Sequence, residues 1–203
     1  MISEDTYKTI VSNTEAVLFK EKNSKFFGFA FHVTSEEQVK EQLHLVKKKH
    51  HSARHWCYAY QIGTETKVFR VNDDGEPSNS AGMPIYGQIL SFELTDVLVM
   101  VVRYFGGIKL GIGGLIQAYR ATAQLALESS KIIEKTINQE FSISFEYKDM
   151  NKVMRIIKEQ NLDIIDQNLE LSCEIIISVR KQMEDKIFDV FNNSYGIEIS
   201  KNE

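Results

Sequence analysis

A glycine-rich segment between an apolar run and a helical pattern is the feature that most constrains the fold of this chain. Residues 103–115 read Arg-Tyr-Phe-Gly-Gly-Ile-Lys-Leu-Gly-Ile-Gly-Gly-Leu, which is five glycines in thirteen residues. They follow the apolar run 97–102, which predicts a buried strand, and they lead into a helix predicted over residues 113–129. A strand that turns through glycines into a helix leaves backbone N–H groups available to an anion. We therefore predict that this turn contacts phosphate.

The charges around the turn support the same interpretation. No Asp or Glu occurs from residue 97 to residue 127, whereas three basic side chains do. The phosphate ligands predicted here are Arg103, Gly106, Gly107, Lys109, Gly111, Gly113, Gly114 and Arg120. The alternative is that the glycines only allow the helix to pack closely against the sheet and the strand to end tightly.

The distribution of charge along the chain assigns any polyanion site to its first part. Residues 1–135 carry 16 Lys and Arg against 15 Asp and Glu, whereas residues 136–203 carry 8 against 13. Because Lys and Arg drive phosphate binding, the acidic second part is a poor nucleic-acid surface. An alternative role for the second part is to dock a protein partner.

The composition excludes several classes of protein. With 43% apolar and 26% charged residues, the chain resembles ordinary globular proteins. No uncharged apolar run approaches the roughly 18–20 residues that a membrane-spanning helix needs, and the N-terminus has acids where a secretion signal would be basic and then apolar. Cys57 and Cys173 are far apart in strand-like segments and are predicted to be reduced core thiols. We predict a cytoplasmic protein without membrane contact, metal or cofactor.

Residues 1–135 are predicted to form an N-terminal α/β sandwich. Phe27, Phe29 and Phe31 alternate at period two, which is typical of a half-buried strand. Residues 34–38 read Thr-Ser-Glu-Glu-Gln and predict the start of a helix that ends in a lysine run. Two further strands, at residues 56–62 and 67–71, are predicted to form a hairpin.

The segment 73–84 is predicted to be a long structured loop, with Pro84 as the first residue of the next helix and Tyr86, Ile89 and Leu90 in the core. The loop residues singled out are Asp73, Asp74, Gly75, Glu76, Pro77, Ser80 and Gly82. Their carboxylates are suited to binding magnesium or to acid–base chemistry, but Asp-Gly-Glu-Pro is also ordinary turn chemistry.

A basic segment near the end of the first predicted helix is a second candidate phosphate site. The residues concerned are Lys47, Lys48, Lys49, Arg54 and His55. The lysines also suit the solvated C-terminus of a helix, where they complement the helix dipole. Trp56 and Tyr58 offer stacking faces for bases, although their alternation with Tyr60 equally fits a core face.

Two further kinds of chemistry are weaker alternatives for this segment. His50, His51 and His55 are possible metal ligands, but no carboxylate or thiol lies at a recognised zinc spacing from them. Cys57 with His55 is a possible nucleophile and base, and it equally fits neighbouring core positions.

Residues 136–203 are predicted to form a small C-terminal domain of the ferredoxin-like type. Strands are predicted at 140–147, 163–166, 171–179 and 196–200, with helices at 149–160 and 181–192. The resulting βαββαβ order is the split pattern of ferredoxin-like domains. We therefore predict an α+β protein of two domains, 1–135 and 136–203.

Several motifs together resemble the IMPACT family, in its bacterial YigZ branch. They are Cys57-Tyr-Ala-Tyr, Asp73-Asp-Gly-Glu-Pro, Ala81-Gly-Met-Pro-Ile, Val101-Val-Arg-Tyr-Phe-Gly-Gly-Ile-Lys-Leu-Gly and Gly113-Gly-Leu-Ile-Gln-Ala-Tyr. The resemblance implies an N-terminal domain with the fold of the second domain of a small-subunit ribosomal protein. It also implies a C-terminal domain like the fifth domain of elongation factor G.

The resemblance also carries functional expectations. Eukaryotic relatives regulate translation by competing for the activator of a stress-responsive initiation-factor kinase, and nucleic-acid binding is suspected for the bacterial branch. The chain departs from the family pattern at Asn79-Ser80, where Gly-Thr is usual, at Arg54, where threonine is common, and at Gln117, where a basic residue is common.

These observations predict an RNA- or ribosome-associated regulator of translation that binds phosphates through the glycine turn and the basic segment. One alternative is an enzyme that binds a nucleotide or phosphorylated metabolite through the glycine turn and the acidic loop. The other alternative is a protein-docking module based on the acidic C-terminal domain.

Overall fold

The computed structural model describes residues 5–170 and 172–202, which separate into two compact units. The first unit comprises residues 7–135, and the second comprises residues 5–6 together with 136–202. Residues 5 and 6 differ from the domain division predicted above because Asp5 is bound to the second unit. Its carboxylate accepts two hydrogen bonds from Arg180 at 2.9 and 3.0 Å, and its carbonyl accepts one from the Ile137 N–H at 2.6 Å.

The first unit is built around a five-stranded antiparallel sheet. Its elements in chain order are β1 (Thr6–Ile10), β2 (Val17–Glu21), β3 (Ser24–His32), α1 (Glu36–Lys49), β4 (His55–Ile62), β5 (Val68–Asn72), α2 (Gly82–Ser91), β6 (Val97–Tyr104), α3 (Gly111–Glu128) and β7 (Ile132–Thr136). The strand order of the main sheet is β2-β3-β6-β4-β5, and β1 pairs with β7 in a separate two-stranded sheet.

Both faces of the main sheet are covered, which explains the uninterrupted apolar run of β6. Val97, Val99 and Val101 pack with α2 and α3, whereas Leu98 and Met100 pack on the other face with α1. Successive side chains of a strand point to opposite faces, so a strand buried on both faces has no polar alternation.

The start of α1 confirms the cap predicted from the sequence. The N–H of Gln38 donates to Ser35 Oγ at 3.3 Å, and the N–H of Thr34 donates to Gln38 Oε1 at 2.8 Å. Each side chain therefore satisfies a backbone donor of the other segment, as in a capping box.

Several boundaries differ from the prediction. Helix α3 begins at Gly111, so Gly113 and Gly114 belong to its first turn. Helix α2 begins at Gly82, which ends the loop at residue 81 and leaves Pro84 inside the first turn. Leu90 was expected in the core but is 50% exposed, whereas Tyr86 and Ile89 are buried. Strands β1 and β7 were not predicted from the sequence.

The second unit confirms the βαββαβ order. Its elements are β8 (Asn138–Phe145), α4 (Met150–Glu159), β9 (Asp163–Leu169), β10 (Cys173–Arg180), α5 (Glu184–Asn192) and β11 (Ile197–Lys201). The sheet order is β11-β8-β10-β9, with antiparallel neighbours. One face of this sheet and the two helices enclose a core that includes Phe141, Ile143, Val153, Ile177 and Phe191. Of the helices in the described residues, none has the length and apolar character needed to cross a membrane.

Candidate functional site

One end of the five-stranded sheet brings together segments that are far apart in sequence. Since β6 is antiparallel to both β3 and β4, its last residues lie beside the first residues of those strands. Lys25 pairs with Tyr104, and His55 pairs with Arg103. The glycine turn that follows β6 and the segment between α1 and β4 therefore meet at this end of the sheet.

The glycine turn packs against the hairpin between β2 and β3. A Cβ atom at Gly106 would lie 2.1–2.3 Å from backbone atoms of Asn23 and Ser24, so only glycine fits there. The Gly106 N–H donates to Ser24 Oγ at 3.1 Å. Gly107 has a φ of 87° and open space where a side chain would lie. Close packing thus explains Gly106, and a backbone conformation that L side chains rarely adopt explains Gly107.

The charge distribution at the N-terminus of α3 is compatible with the predicted anion contact. Leu110 precedes the helix and provides no side-chain cap, and no acidic residue lies in the first turn. The first N–H groups of a helix have no partner within it, and the dipole favours negative charge at this end. Gly111 and Gly113 are exposed, with nothing within 4 Å of an added Cβ, and the exposed Lys109 lies just before the helix.

Three lysines that were not selected from the sequence lie on the β2–β3 hairpin. Lys20 and Lys25 are direct cross-strand partners, and Lys22 forms the tight turn with Asn23. All three lysines are exposed, and none is ion-paired within residues 5–170 and 172–202. Like charges directly opposite each other are unfavourable, and a bound anion would relieve the repulsion. The one acid of the hairpin is Glu21. The sequence pattern that could have identified these lysines is two consecutive strands joined by a two-residue turn that contains Lys22.

The C-terminus of α1 adds further positive charge near the same end. Lys47, Lys48, Lys49 and Arg54 are exposed, and the Arg54 N–H donates to the Arg103 carbonyl at 3.4 Å. We use the name basic end for the exposed cations gathered here. They are Lys20, Lys22, Lys25, Lys47, Lys48, Lys49, Arg54 and Lys109.

Arg103 is not an exposed cation of this set. Its side chain is 6% exposed, and its Nη1 donates to Glu76 Oε1 at 2.6 Å. The guanidinium lies 5.5 Å from the centres of the rings of Phe26 and Phe105. Residues 97–127 contain no Asp or Glu, but the fold places the carboxylate of Glu76 against Arg103. Glu76 lies in the loop between β5 and α2.

The carboxylates of that loop are engaged in holding the loop itself. Asp73 accepts hydrogen bonds from the N–H groups of Asn79, Ala81 and Gly82 at 2.8–2.9 Å and so caps α2. Asp74 Oδ2 accepts one from the Trp56 N–H at 2.8 Å. These contacts agree with the turn-chemistry interpretation.

The remaining loop residues also have structural positions. Ser80 is buried and donates to the Pro77 carbonyl at 2.6 Å, and Gly75 has a φ of 86° beside the ring of His55. A Cβ at Gly82 would lie 2.8 Å from the backbone N of Asn72. Across the described parts of the chain, no group of three or more His, Cys, Asp and Glu side chains is arranged to hold a metal ion.

The thiol of Cys57 is not arranged as a nucleophile. Its Sγ lies 3.0 Å from the Asp73 carbonyl and 3.3 Å from Tyr119 Oη, and burial raises the pKa of the Cys57 thiol above its usual range. Tyr119 donates to Glu76 Oε1 at 2.8 Å, and burial likewise raises the pKa of its hydroxyl. His55 Nδ1 lies 2.9 Å from the Asp74 carbonyl, so the imidazole is held by the loop rather than by the thiol. Both Cys57 and Tyr119 are therefore protonated at neutral pH.

Two other predicted contributors lie elsewhere. Arg120 is exposed nine residues into α3 and lines a groove of about 500 Å³ between α2 and α3, with Asn79 and Gln88. Trp56 and Tyr58 pack on the core under α1, as the alternative interpretation expected, and Lys47 Nζ lies 5.5 Å from the centre of the Trp56 ring.

Comparison with known proteins identifies the family. The pattern described as the Impact N-terminal domain matches residues 22–127. The chain is 35% identical to IMPACT family member YvyE of Bacillus subtilis (strain 168), over 76% of this chain and 70% of that protein. It is 32% identical to an IMPACT family member of Haemophilus influenzae, over 82% of this chain and 83% of the relative.

A solved structure shows that the two-unit fold recurs. The crystal structure of a hypothetical protein matches 98% of this chain and 98% of its own, with a TM-score of 0.72 and 25% sequence identity. The motifs, the fold and the extent of these matches agree, and the chain therefore belongs to the IMPACT family.

Proposed function

We propose that the protein regulates translation by binding the phosphate backbone of RNA, free or in the ribosome, through the basic end. The observation that carries the proposal is the uncapped, acid-free N-terminus of α3. It follows Lys109 and the glycine turn, and that turn packs against the lysine-bearing β2–β3 hairpin. A helix N-terminus binds anions through its N–H groups, and nearby lysines release counterions from a polyanion.

The distribution of engaged and available groups supports binding rather than catalysis. Asp73, Asp74 and Glu76 are held by backbone N–H groups or by Arg103, and the Cys57 thiol is protonated. Within the described residues, none of the exposed lysines of the basic end forms an ion pair with a carboxylate. Family membership supports the link to translation, because the resemblance described above connects the family with that process.

The salt dependence of RNA affinity tests this proposal. Replacing Lys47, Lys48 and Lys49 together by alanine is expected to reduce the slope of log affinity against log salt, by about 0.7 for each phosphate of single-stranded RNA that these lysines neutralise. The Lys109→Ala variant should reduce it further. Fluorescence anisotropy with a labelled single-stranded RNA between low and moderate salt measures both the affinity and the slope.

A matched variant of the second unit provides the control. Lys148, Lys158 and Lys186 are equally exposed, and their replacement by alanine removes the same number of charges. We expect this variant to keep the wild-type salt slope. If both triple variants changed the slope equally, binding would reflect net charge alone and the proposed surface would be wrong.

A further inference from the structure

A small aromatic pocket lies beside the glycine turn on the side of the sheet covered by α1. It has a volume of about 320 Å³ and is lined by Asn23, Lys25, Phe27, His50, Tyr104 and Phe105. This volume is at the lower end of the range of about 300–1,000 Å³ typical of small-ligand sites. No acidic side chain lines the pocket, and its one charged residue is the exposed Lys25.

The aromatic walls hold each other in place. Phe27 and Tyr104 make an edge-to-face contact with ring centres 5.7 Å apart, and the His50 ring lies 5.3 Å from that of Phe27. The His50 Nδ1 and Tyr104 Oη are 3.0 Å apart, within hydrogen-bond distance. Burial, followed by the charge of Lys49, lowers the pKa of His50, so that its ring is uncharged at neutral pH. These rings form an uncharged, preformed aromatic surface, with the planes of His50 and Tyr104 inclined to that of Phe27 by 42° and 80°.

One wall of the pocket remains available for contact with a ligand. Phe105 is 44% exposed, although it lies between the buried Arg103 and the tightly packed Gly106. A large aromatic side chain at the mouth of a pocket, beside a cation, suits a planar ring that carries negative charge nearby. An aliphatic side chain of a protein partner would make no use of Lys25.

The position of the pocket fixes where the charged part of such a ligand would lie. Phe105 directly precedes Gly106, and the Gly106 N–H is bonded to Ser24 of the β2–β3 hairpin. Lys25 of that hairpin lines the pocket itself, Lys20 is its direct cross-strand partner, and the glycine turn follows Phe105 directly. The spacing between a base and its own phosphate is short, so one nucleotide can reach both features.

We propose that this pocket binds an unpaired nucleobase by stacking on Phe105 and Tyr104, with the attached phosphate at Lys25 and the glycine turn. The inference rests on the proposed RNA binding and deepens it, because it makes the recognised RNA single-stranded at this point. Stacking of this kind is tolerant of base identity, since every base has a π face.

Two strands of equal charge isolate the base from the phosphates. One is a short oligonucleotide in which every position but one is abasic, and the other is fully abasic. The wild-type protein is expected to bind the strand with one base about tenfold more tightly. The Phe105→Leu variant, which keeps an apolar side chain at an exposed position, should lose most of this preference, because only Tyr104 remains to stack on the base, and its salt slope should stay unchanged.

Phe69→Leu is the matched control for the loss of a ring. Phe69 is 53% exposed and stacks on Tyr86 with ring centres 4.5 Å apart, and it does not line the pocket. We expect it to keep the tenfold preference. As a second measurement, a strand with 5-iodouracil as its single base should photocrosslink to Phe105, Tyr104 or His50, as located by mass spectrometry.

The outcomes separate the two proposals. Equal binding of both strands by the wild type, with a salt slope that the lysine variants reduce, would overturn the base pocket and leave RNA backbone binding intact. If neither strand binds but adenosine monophosphate binds and Phe105→Leu abolishes its binding, the pocket takes a free nucleotide and the proposed RNA function is wrong. Absence of binding by strands and nucleotide alike would overturn both.

Discussion

At the scale of single residues, the most consequential contact is the buried ion pair between Glu76 and Arg103. Both side chains are less than 7% exposed, and Tyr119 donates a second hydrogen bond to the same carboxylate oxygen. The sequence pattern assigned Arg103 to phosphate and Glu76 to the acidic loop. It could not pair them, because the two positions are 27 residues apart in sequence and only the return of β6 beside β4 brings them together. The pair joins the loop to the sheet.

The Glu76→Gln variant tests how strongly the loop depends on this pair. Removing one partner leaves the Arg103 charge buried without its counter-ion, and such changes destabilise proteins by about 3–5 kcal/mol. Urea denaturation at neutral pH measures the change in the free energy of unfolding. The control is Glu146→Gln, which breaks an exposed pair with Lys148 and should change stability by about 1 kcal/mol or less. Similar effects of the two substitutions would contradict the structural role of Glu76.

His50 provides a prediction about pH. Burial lowers its pKa below the ordinary value of 6.5, so the unfolded chain binds a proton that the folded chain resists. The contribution of the neutral ring is therefore complete above about pH 6.5 and is lost as the pH falls below it. Urea midpoints at pH 7.5 and pH 5.5 should show a smaller loss on acidification for His50→Gln than for the wild type. An equal loss would show that His50 is not responsible.

At the scale of elements, the side-chain caps of α1 and α2 differ in how far away in sequence the capping residue lies. Ser35 and Gln38 cap α1 from adjacent positions, so the sequence was sufficient to predict that start. Helix α2 is capped by Asp73, whose Oδ1 accepts from the N–H groups of Ala81 and Gly82. Asp73 lies eight residues before Ala81, so this cap forms only if the whole loop follows the right path. For that reason the sequence placed the start of α2 at Pro84, two residues after its actual start at Gly82.

Asp73→Ala should destabilise α2 and loosen the loop. Losing a single N-cap side chain destabilises a protein by about 0.5–2 kcal/mol, and three N–H groups lose their acceptor here, so we expect a value near 2 kcal/mol. The free energy of unfolding and hydrogen exchange at Asn79, Ala81 and Gly82 measure the two effects. Ser78→Ala, an exposed change in the same loop, should alter stability by less than about 0.5 kcal/mol. Unchanged exchange in Asp73→Ala would contradict the capping role.

At the scale of the whole molecule, each unit has its own core and its own surface character. The first unit carries the basic end, whereas in residues 136–203 the 13 Asp and Glu outnumber the 8 Lys and Arg. All seven residues of the edge strand β9 are exposed, among them Asp163, Asp166, Ile164 and Ile165. An exposed acidic edge strand is compatible with a protein partner, and that role of the second unit stays a prediction.

The family, the fold class and the order of elements in the second unit were all predictable from the amino-acid sequence. These depend on local patterns, which are the alternation of Phe27, Phe29 and Phe31, the apolar run of β6, and motifs made of residues adjacent in sequence. Strands β1 and β7 escaped prediction because they are short and pair with each other across more than 120 residues. Their pairing forms only when the chain folds and brings residues 6–10 beside residues 132–136.

Which charged side chains are available for binding became clear only from the folded arrangement of the chain. Lys109 remains exposed, Arg103 is neutralised by Glu76, and Lys20, Lys22 and Lys25 join the site because the β2–β3 hairpin packs against Gly106. The physical reason is that the interaction between charges depends on distance and burial, and an antiparallel sheet sets both by pairing residues distant in sequence.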